Sequence, residues 1–322
     1  MSMQQERQDA DAMERQHSRQ RNAHRNRKIA AFTVAGCIVV AVAVTALVAS
    51  EERGAPAPSV ATEQGGTNQT LSIVDVGSGE GTAFTAPLDA SGFDFTLDGS
   101  MVTYTDLDEN GNDQVFVMGP DGSNARQLTH GAGGARGPSW SPDGRMIAYE
   151  RDTSGRSQIF VVRVSNGVSI RVTREPRGAS DPGGWAPDGR SIVVSTPNTA
   201  GTHYTARSLD LATGQTRLIV ADASTPTLSP DGAWIAFNSW LKPRVRLIFA
   251  NSDGSERRVI ARSDNDDGHQ RWSPDSKQIA YAGNTAESGF GTFIYDLATR
   301  ETRFVTAGTI ETWVDDNHIL VS

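Results

Sequence analysis

The residues of this chain best able to do chemistry are scattered rather than gathered into one motif. Oxygen donors are densest in Asp106-Leu107-Asp108-Glu109-Asn110-Gly111-Asn112-Asp113, where Asp106, Asp108 and Asn110 stand at alternate positions ahead of a glycine. That is the spacing of the first half of a calcium loop, but the position where the bidentate glutamate belongs is Val117. Asp264-Asn265-Asp266-Asp267 has a similar composition. Calcium at Asp106, Asp108 and Asn110 is the one cofactor these residues suggest, and a polar turn between two strands is the competing reading. The histidines are His17, His24, His130, His203, His269 and His318. None forms an H-x-x-x-H or H-E-x-x-H pair and no cysteine ligand accompanies them, so a zinc site has no support. The nucleophile elbow G-x-S-x-G is absent, which argues against a serine hydrolase. The residues predict a binding protein, not an enzyme.

Charged residues recur just ahead of tryptophans. His130 and Arg136 precede Trp140, Arg177 and Asp181 precede Trp185, Asp267, His269 and Arg271 precede Trp272, and Glu311 precedes Trp313. Singly, each reads as a solvated loop residue or a weak surface ion pair. Together they become a candidate contact surface if the fold brings them to one place, and a repeat in the sequence says that it does.

The repeat is F-T-L-D-G-S-M-V-T-Y from Phe95, W-S-P-D-G-R-M-I-A-Y from Trp140, W-A-P-D-G-R-S-I-V-V from Trp185, L-S-P-D-G-A-W-I-A-F from Leu228 and W-S-P-D-S-K-Q-I-A-Y from Trp272. A worn sixth copy, W-V-D-D-N-H-I-L-V, starts at Trp313. The turn aspartates Asp98, Asp143, Asp188, Asp231, Asp275 and Asp316 are 45, 45, 43, 44 and 41 residues apart. Proline presets φ, aspartate bonds nearby backbone N–H groups and glycine tolerates positive φ, so P-D-G predicts a tight turn between antiparallel strands. The apolar run after it, such as Ile147-Ala148-Tyr149, predicts a strand buried on both faces. A second hairpin follows in each unit, for example 114–118 with 125–129 and 158–162 with 169–173. Four strands per period of about 44 residues is the blade of a β-propeller.

Residues 71–76 and 81–85 form an orphan outer hairpin ahead of the first turn unit, and the last unit reaches Ser322 without one. Joining 69–88 to 308–322 completes one more sheet and closes a ring of six blades. The P-D-G turns then lie on one face, and the charged residues ahead of the tryptophans crowd the opposite, upper mouth. The repeated tryptophans read as wedges between blades rather than as a sugar platform.

These copies of W-S-P-D-G-x-x-I-A-Y/F resemble the PD40 repeat of the TolB-type six-bladed propeller, over about four-fifths of the chain. The resemblance implies a bacterial envelope protein that binds partner proteins over one mouth. The N-terminal α/β domain of periplasmic TolB has no counterpart here.

In its place residues 29–49 carry no charge and are long enough for a transmembrane helix, at about 1.5 Å per residue across roughly 30 Å of hydrocarbon. Residues 1–28 hold seven basic and four acidic side chains, a net of +3, and acids follow the run at Glu51 and Glu52, so a cytoplasmic N-terminus and an extracytoplasmic propeller are expected. A cleaved signal peptide normally has a shorter apolar core, and the lipobox-like Val34-Ala35-Gly36-Cys37 is followed by about a dozen apolar residues where a lipoprotein turns polar. Residues 50–68 read as a flexible linker and 69–322 as the propeller. The chain as a whole carries −8, which leaves −11 outside residues 1–28, so nucleic acid is disfavoured.

The expectation is therefore an all-β six-bladed propeller of four-stranded antiparallel blades behind one membrane helix, serving as a protein- or peptide-binding or scaffolding module of the cell envelope. Two alternatives stay open: a hydrolase or lyase acting on a sugar or lactone through a channel metal, and a signalling protein that uses residues 1–28 in the cytoplasm.

Overall fold

The computed structural model describes residues 68–240, 245–263, 270–285 and 289–322. The expected cytoplasmic segment, membrane helix and all but the last residue of the linker lie outside the described residues. Among the described residues no helix is long and apolar enough to cross a membrane.

The chain opens with β1 (Asn68–Asp75) and β2 (Gly81–Pro87). The first blade follows as β3 (Ser91–Phe95), β4 (Val102–Leu107), β5 (Asp113–Met118) and β6 (Arg126–Gln127), and the second as β7 (Ala135–Trp140), β8 (Met146–Thr153), β9 (Arg156–Arg163) and β10 (Ser169–Arg171). The third blade contains β11 (Ser191–Pro197), β12 (Tyr204–Asp210) and β13 (Thr216–Val220). The fourth is β14 (Ser224–Leu228), β15 (Trp234–Ser239), β16 (Val245–Asn251) and β17 (Arg258–Ser263), and the fifth is β18 (Gln270–Trp272), β19 (Gln278–Thr285), β20 (Gly289–Asp296) and β21 (Thr302–Thr306). The last two strands, β22 (Ile310–Trp313) and β23 (His318–Val321), join the first two in a sheet of order β2-β1-β23-β22. The expected closure is present: Ile73 pairs with Leu320 and Val74 with Ile319.

Five of the six sheets have four strands, and the third departs from the expectation of a regular four-stranded blade. Its innermost segment, Ala179-Ser180-Asp181-Pro182-Gly183-Gly184-Trp185, makes only isolated bridges, Ser180 to Ser195 and Trp185 to Ile192. The reason is local. Pro182 has no N–H to give the ladder, and Asp181 and Gly184 adopt φ of 49° and 114°. A Cβ on Gly183 would lie 1.5 Å from Pro226 O, so glycine here lets the third and fourth blades approach closely.

The core is a set of seams between neighbouring blades. On β8, Ile147 and Tyr149 pack with Val115, Val117 and Leu128 of the first blade, while Ala148 packs with Trp185, Ile192 and Val194 of the third. This is the two-sided burial expected of the strand after the turn. The turn itself is locked by a hydroxyl two residues ahead of its aspartate: Ser141 Oγ donates to Asp143 Oδ1 (2.7 Å) and accepts from Met146 N (2.9 Å). Thr96 with Asp98, Ser229 with Asp231 and Ser273 with Asp275 repeat the arrangement at 2.6–2.8 Å. Hydrogen bonds from Thr96 and Ser100 take Asp98 down to about 2.

The tryptophans are the expected wedges. Indole Nε1 donates to a carbonyl of the preceding blade in four cases: Trp140 to Asp94 O (3.1 Å), Trp185 to Ser139 O (3.1 Å), Trp272 to Thr227 O (3.0 Å) and Trp313 to Arg271 O (3.0 Å). All four rings are buried in the seams.

Candidate functional site

Each of these acceptor residues stands immediately before the first residue of the repeat motif in its own blade: Phe95, Trp140, Leu228 or Trp272. The position is held by Asp94, Ser139, Gly184, Thr227, Arg271 and Thr312, one per blade, and all six line a central cavity of about 280 Å³. The cavity runs along the innermost strands to the turn prolines Pro142, Pro230 and Pro274, with Leu97 in the proline position of the first blade.

The innermost strands are bulged near their starts, with register shifts between Ser91 and Asp94, Arg136 and Ser139, Ser224 and Thr227, and Ile310 and Thr312. A bulge inserts a residue and re-aims its neighbours. Glycine fills the left-handed position in two blades, Gly92 (φ 63°) and Gly137 (φ 58°), but Thr225 takes φ of 46°. A β-branched residue is strained there. Neighbouring amides hold it: Gln270 Nε2 donates to Thr225 O and, at 3.3 Å, to its Oγ1, which also accepts from Asn238 Nδ2 at 3.3 Å.

Asp94 is a strongly perturbed acid of the cavity wall. Burial deep in the ring pushes its carboxyl up to about 6, against the pull of the Trp140 N–H, the Arg271 charge and the Thr312 hydroxyl. The Trp140 N–H donates to Oδ2 at 2.8 Å. Arg271 donates through Nη1 to Gln270 O at 3.0 Å. Asp181 accepts a hydrogen bond from Ser180 Oγ at 3.2 Å, and its backbone N–H reaches Glu150 Oε2 at 3.3 Å. Burial and then the Asp181 charge raise Glu150 to about 7. Asp94 and Glu150 can therefore each hold or release a proton near neutral pH.

The residues expected at the upper mouth divide. Asp181 and Arg271 line the cavity. Arg136 is tied across the seam between the first two blades, to Asp113 (2.5 Å) and Asp152 (3.5 Å). Burial works against its charge, but Asp113, Asp152 and Glu150 more than offset this. His130 is exposed beside Gln127 Nε2 (3.0 Å), and Arg177 is exposed with Nη1 3.5 Å from Asn198 O. Glu311 is partly buried on β22 and outside the cavity lining. Asp267 and His269, with the acidic run 264–267, lie outside the described residues.

In the loop between β4 and β5, Asp108 Oδ1 accepts the N–H groups of Asn110 and Asn112 at 2.9 Å each, and Asp106 Oδ1 accepts the Leu107 N–H at 2.8 Å. The Asn112 N–H holds Asp108 below the usual carboxylate range. Among the described residues no group of three or more His, Cys, Asp or Glu is placed to hold a metal ion.

Sequence reasoning missed Asp94 and Glu150. The signal for Asp94 was present: it occupies the same repeat position as Arg271, which was singled out. Glu150 carried no motif signal, because its environment comes from Asp181 of the next blade.

Residues 66–267 match the PD40 family, described as the TolB beta propeller domain. No curated protein matches the chain. Among solved structures, a protein described as TolB from Agrobacterium tumefaciens is 18% identical with a TM-score of 0.66, covering 80% of this chain and 98% of its own. TolB from Acinetobacter baumannii is 15% identical with a TM-score of 0.58, over 79% of this chain and 63% of its own. An oligogalacturonate lyase from Vibrio parahaemolyticus is 20% identical with a TM-score of 0.51, over 74% and 73%. At such identities the structures share the fold alone, and one fold hosts unrelated functions. With its repeat, its ring of six sheets and a match over well more than half its length, the chain belongs to the TolB β-propeller (PD40) family.

Proposed function

We propose that this protein is a membrane-anchored, extracytoplasmic binding module of the cell envelope, in which the propeller channel receives a segment of a protein or peptide partner. The observation that carries this reading is the cavity-lining position just before the repeat motif of each blade. It holds five residue types in six blades (Asp94, Ser139, Gly184, Thr227, Arg271 and Thr312) while the motif that follows it repeats. A repeated residue serves the fold; a position that varies within a fixed frame, around a cavity of about 280 Å³, serves recognition. The cavity accommodates a few side chains rather than a domain, so the rest of a partner rests on the rim. The uncharged run 29–49 supports the anchor, and the −11 balance outside residues 1–28 supports a partner other than nucleic acid.

Affinity capture from membranes with the full chain tests this. Charge reversal at Arg271, in the cavity, is expected to lose partners that reversal at Arg171, on the exposed outer strand β10, retains. Equal recovery with both variants removes the channel from the proposal.

The raised carboxyl of Asp94, on the cavity wall, favours one second reading, a lyase or hydrolase acting on a sugar within the channel. Stoichiometric metal in the purified protein, together with turnover that is lost in Asp94→Asn, supports that reading against the first.

A further inference from the structure

The channel-facing position has a polar arc in it. Thr227, Arg271, Thr312 and Asp94 belong to the fourth, fifth, sixth and first blades, whose innermost strands are successive neighbours round the ring. Among the described residues the Arg271 guanidinium bonds only a main-chain carbonyl, and no carboxylate lies within ion-pair distance of it. Its charge is felt by Asp94 without direct pairing. On the innermost strand of the preceding blade, the Thr227 hydroxyl is buried and has no hydrogen-bond partner among the described residues. A buried hydroxyl left unpaired is costly unless something accepts from it. The arc thus offers a guanidinium, an unpaired hydroxyl and a protonatable carboxyl, and its one carboxyl, Asp94, is not paired directly with Arg271.

We propose that this arc is a carboxylate-binding subsite, in which Arg271 and Thr227 donate to a ligand carboxylate and Asp94, in its protonated form, supplies a further donor. The inference rests on the channel being the docking site proposed above, and it names what the partner inserts: an acidic side chain or a free C-terminus. A single carboxylate fits better than a phosphate dianion, because the cavity holds one cation and two acids, Asp94 and Asp181. Trp140, Trp272 and the turn prolines provide apolar wall for the stem that carries it.

Binding then takes up a proton. The groups that line the cavity around Asp94 are Ser139 and Trp140 on β7, Thr312 on β22, Arg271 on β18 and Asp181 of the third blade, and of these only Arg271 and Asp181 carry charge. Ionised Asp94 repels the incoming carboxylate and competes for Arg271, whereas protonated Asp94 donates to it. The Asp94→Asn variant keeps an oxygen for the Trp140 N–H and presents an N–H donor at every pH.

The test uses the full chain labelled with ¹⁵N at tryptophan, titrated with butyrate at pH 5.5 and 7.5, with n-butylamine and inorganic phosphate as comparison probes. Butyrate is expected to move the indole signals of Trp140, Trp272 and Trp313 and to leave those of Trp234 and Trp240, which are outside the cavity lining. Affinity is expected to fall roughly twentyfold between the two pH values. Arg271→Gln should abolish the response, and Asp94→Asn should bind equally at both pH values, a gain at pH 7.5 that a purely structural role does not produce. Absence of any shift with butyrate at pH 5.5 overturns the proposal. So does an equal response to n-butylamine or phosphate, or an Asp94→Asn variant that follows pH as the native protein does. If butyrate fails while partner capture still depends on Arg271, the subsite is wrong and the docking channel stands. If butyrate binds but no captured partner depends on Arg271, the docking reading is the one that falls.

Discussion

Replacing Asp94 by asparagine should stabilise the propeller at neutral pH, and the size and pH dependence of the effect follow from where the carboxyl sits. Its folded value of about 6 lies above the ordinary 3.8 because burial disfavours the anion. A folded value above the unfolded one means that the folded state binds the proton more tightly, so stability falls as pH rises from about 4 to about 6 and is level above that. Two units correspond to about 3 kcal/mol at most, and about 1–3 kcal/mol once water in the channel is allowed for. In a domain of this size each kcal/mol shifts Tm by about 2–4 °C. The variant keeps the acceptor for the Trp140 N–H and loses only the ionisation. Melting curves followed by tryptophan fluorescence from pH 4 to 8 should therefore coincide for the two proteins near pH 4. They should diverge through pH 6, with the variant higher by about 2–12 °C at pH 7.5. Taking the difference cancels the slopes that all other acids contribute to both proteins. A difference constant across the range, or a variant less stable at pH 7.5, would refute the reasoning.

Three further changes probe the frame. Gly183→Ala places a Cβ 1.5 Å from Pro226 O and should lower stability by more than about 3 kcal/mol, whereas Gly189→Ala, with open space but φ of 65°, should cost only about 1–2 kcal/mol, both read from denaturant midpoints. Trp185→Phe loses the bond to Ser139 O and should cost about 1–2 kcal/mol, against about 3–5 kcal/mol for Trp185→Ala, which also empties the seam. Leu320→Asp puts a carboxyl into the buried pairing with Ile73 and should open the ring, seen as rapid proteolysis at the β1 and β23 ends under native conditions.

The frame was legible because it repeats. Asp98 to Asp316 marked the turns, the tryptophans marked the seams, and the hairpin around Ile73 could be matched to the strand around Leu320 because each lacked the other. In the third blade Asp181-Pro182-Gly183-Gly184 reduces the innermost strand to isolated bridges, and no local pattern reports this because Pro226 of the next blade is what crowds Gly183. The site was half visible. Arg271 stood out as a charge before a tryptophan, but Asp94 precedes a phenylalanine in the one early copy that lacks both tryptophan and proline, and it was passed over. Arg136 read as a solvated residue or a weak ion pair and is held by Asp113 of the first blade and Asp152 of its own, neither of them a neighbour in sequence.

The channel's role is tested most directly by photo-crosslinking in native membranes, with a photoreactive residue placed at Thr227 in the cavity or at Ile170 on the exposed outer strand β10. A partner adduct from position 227 that is absent from position 170 is the outcome expected here. Adducts from position 170 with none from 227 would contradict it.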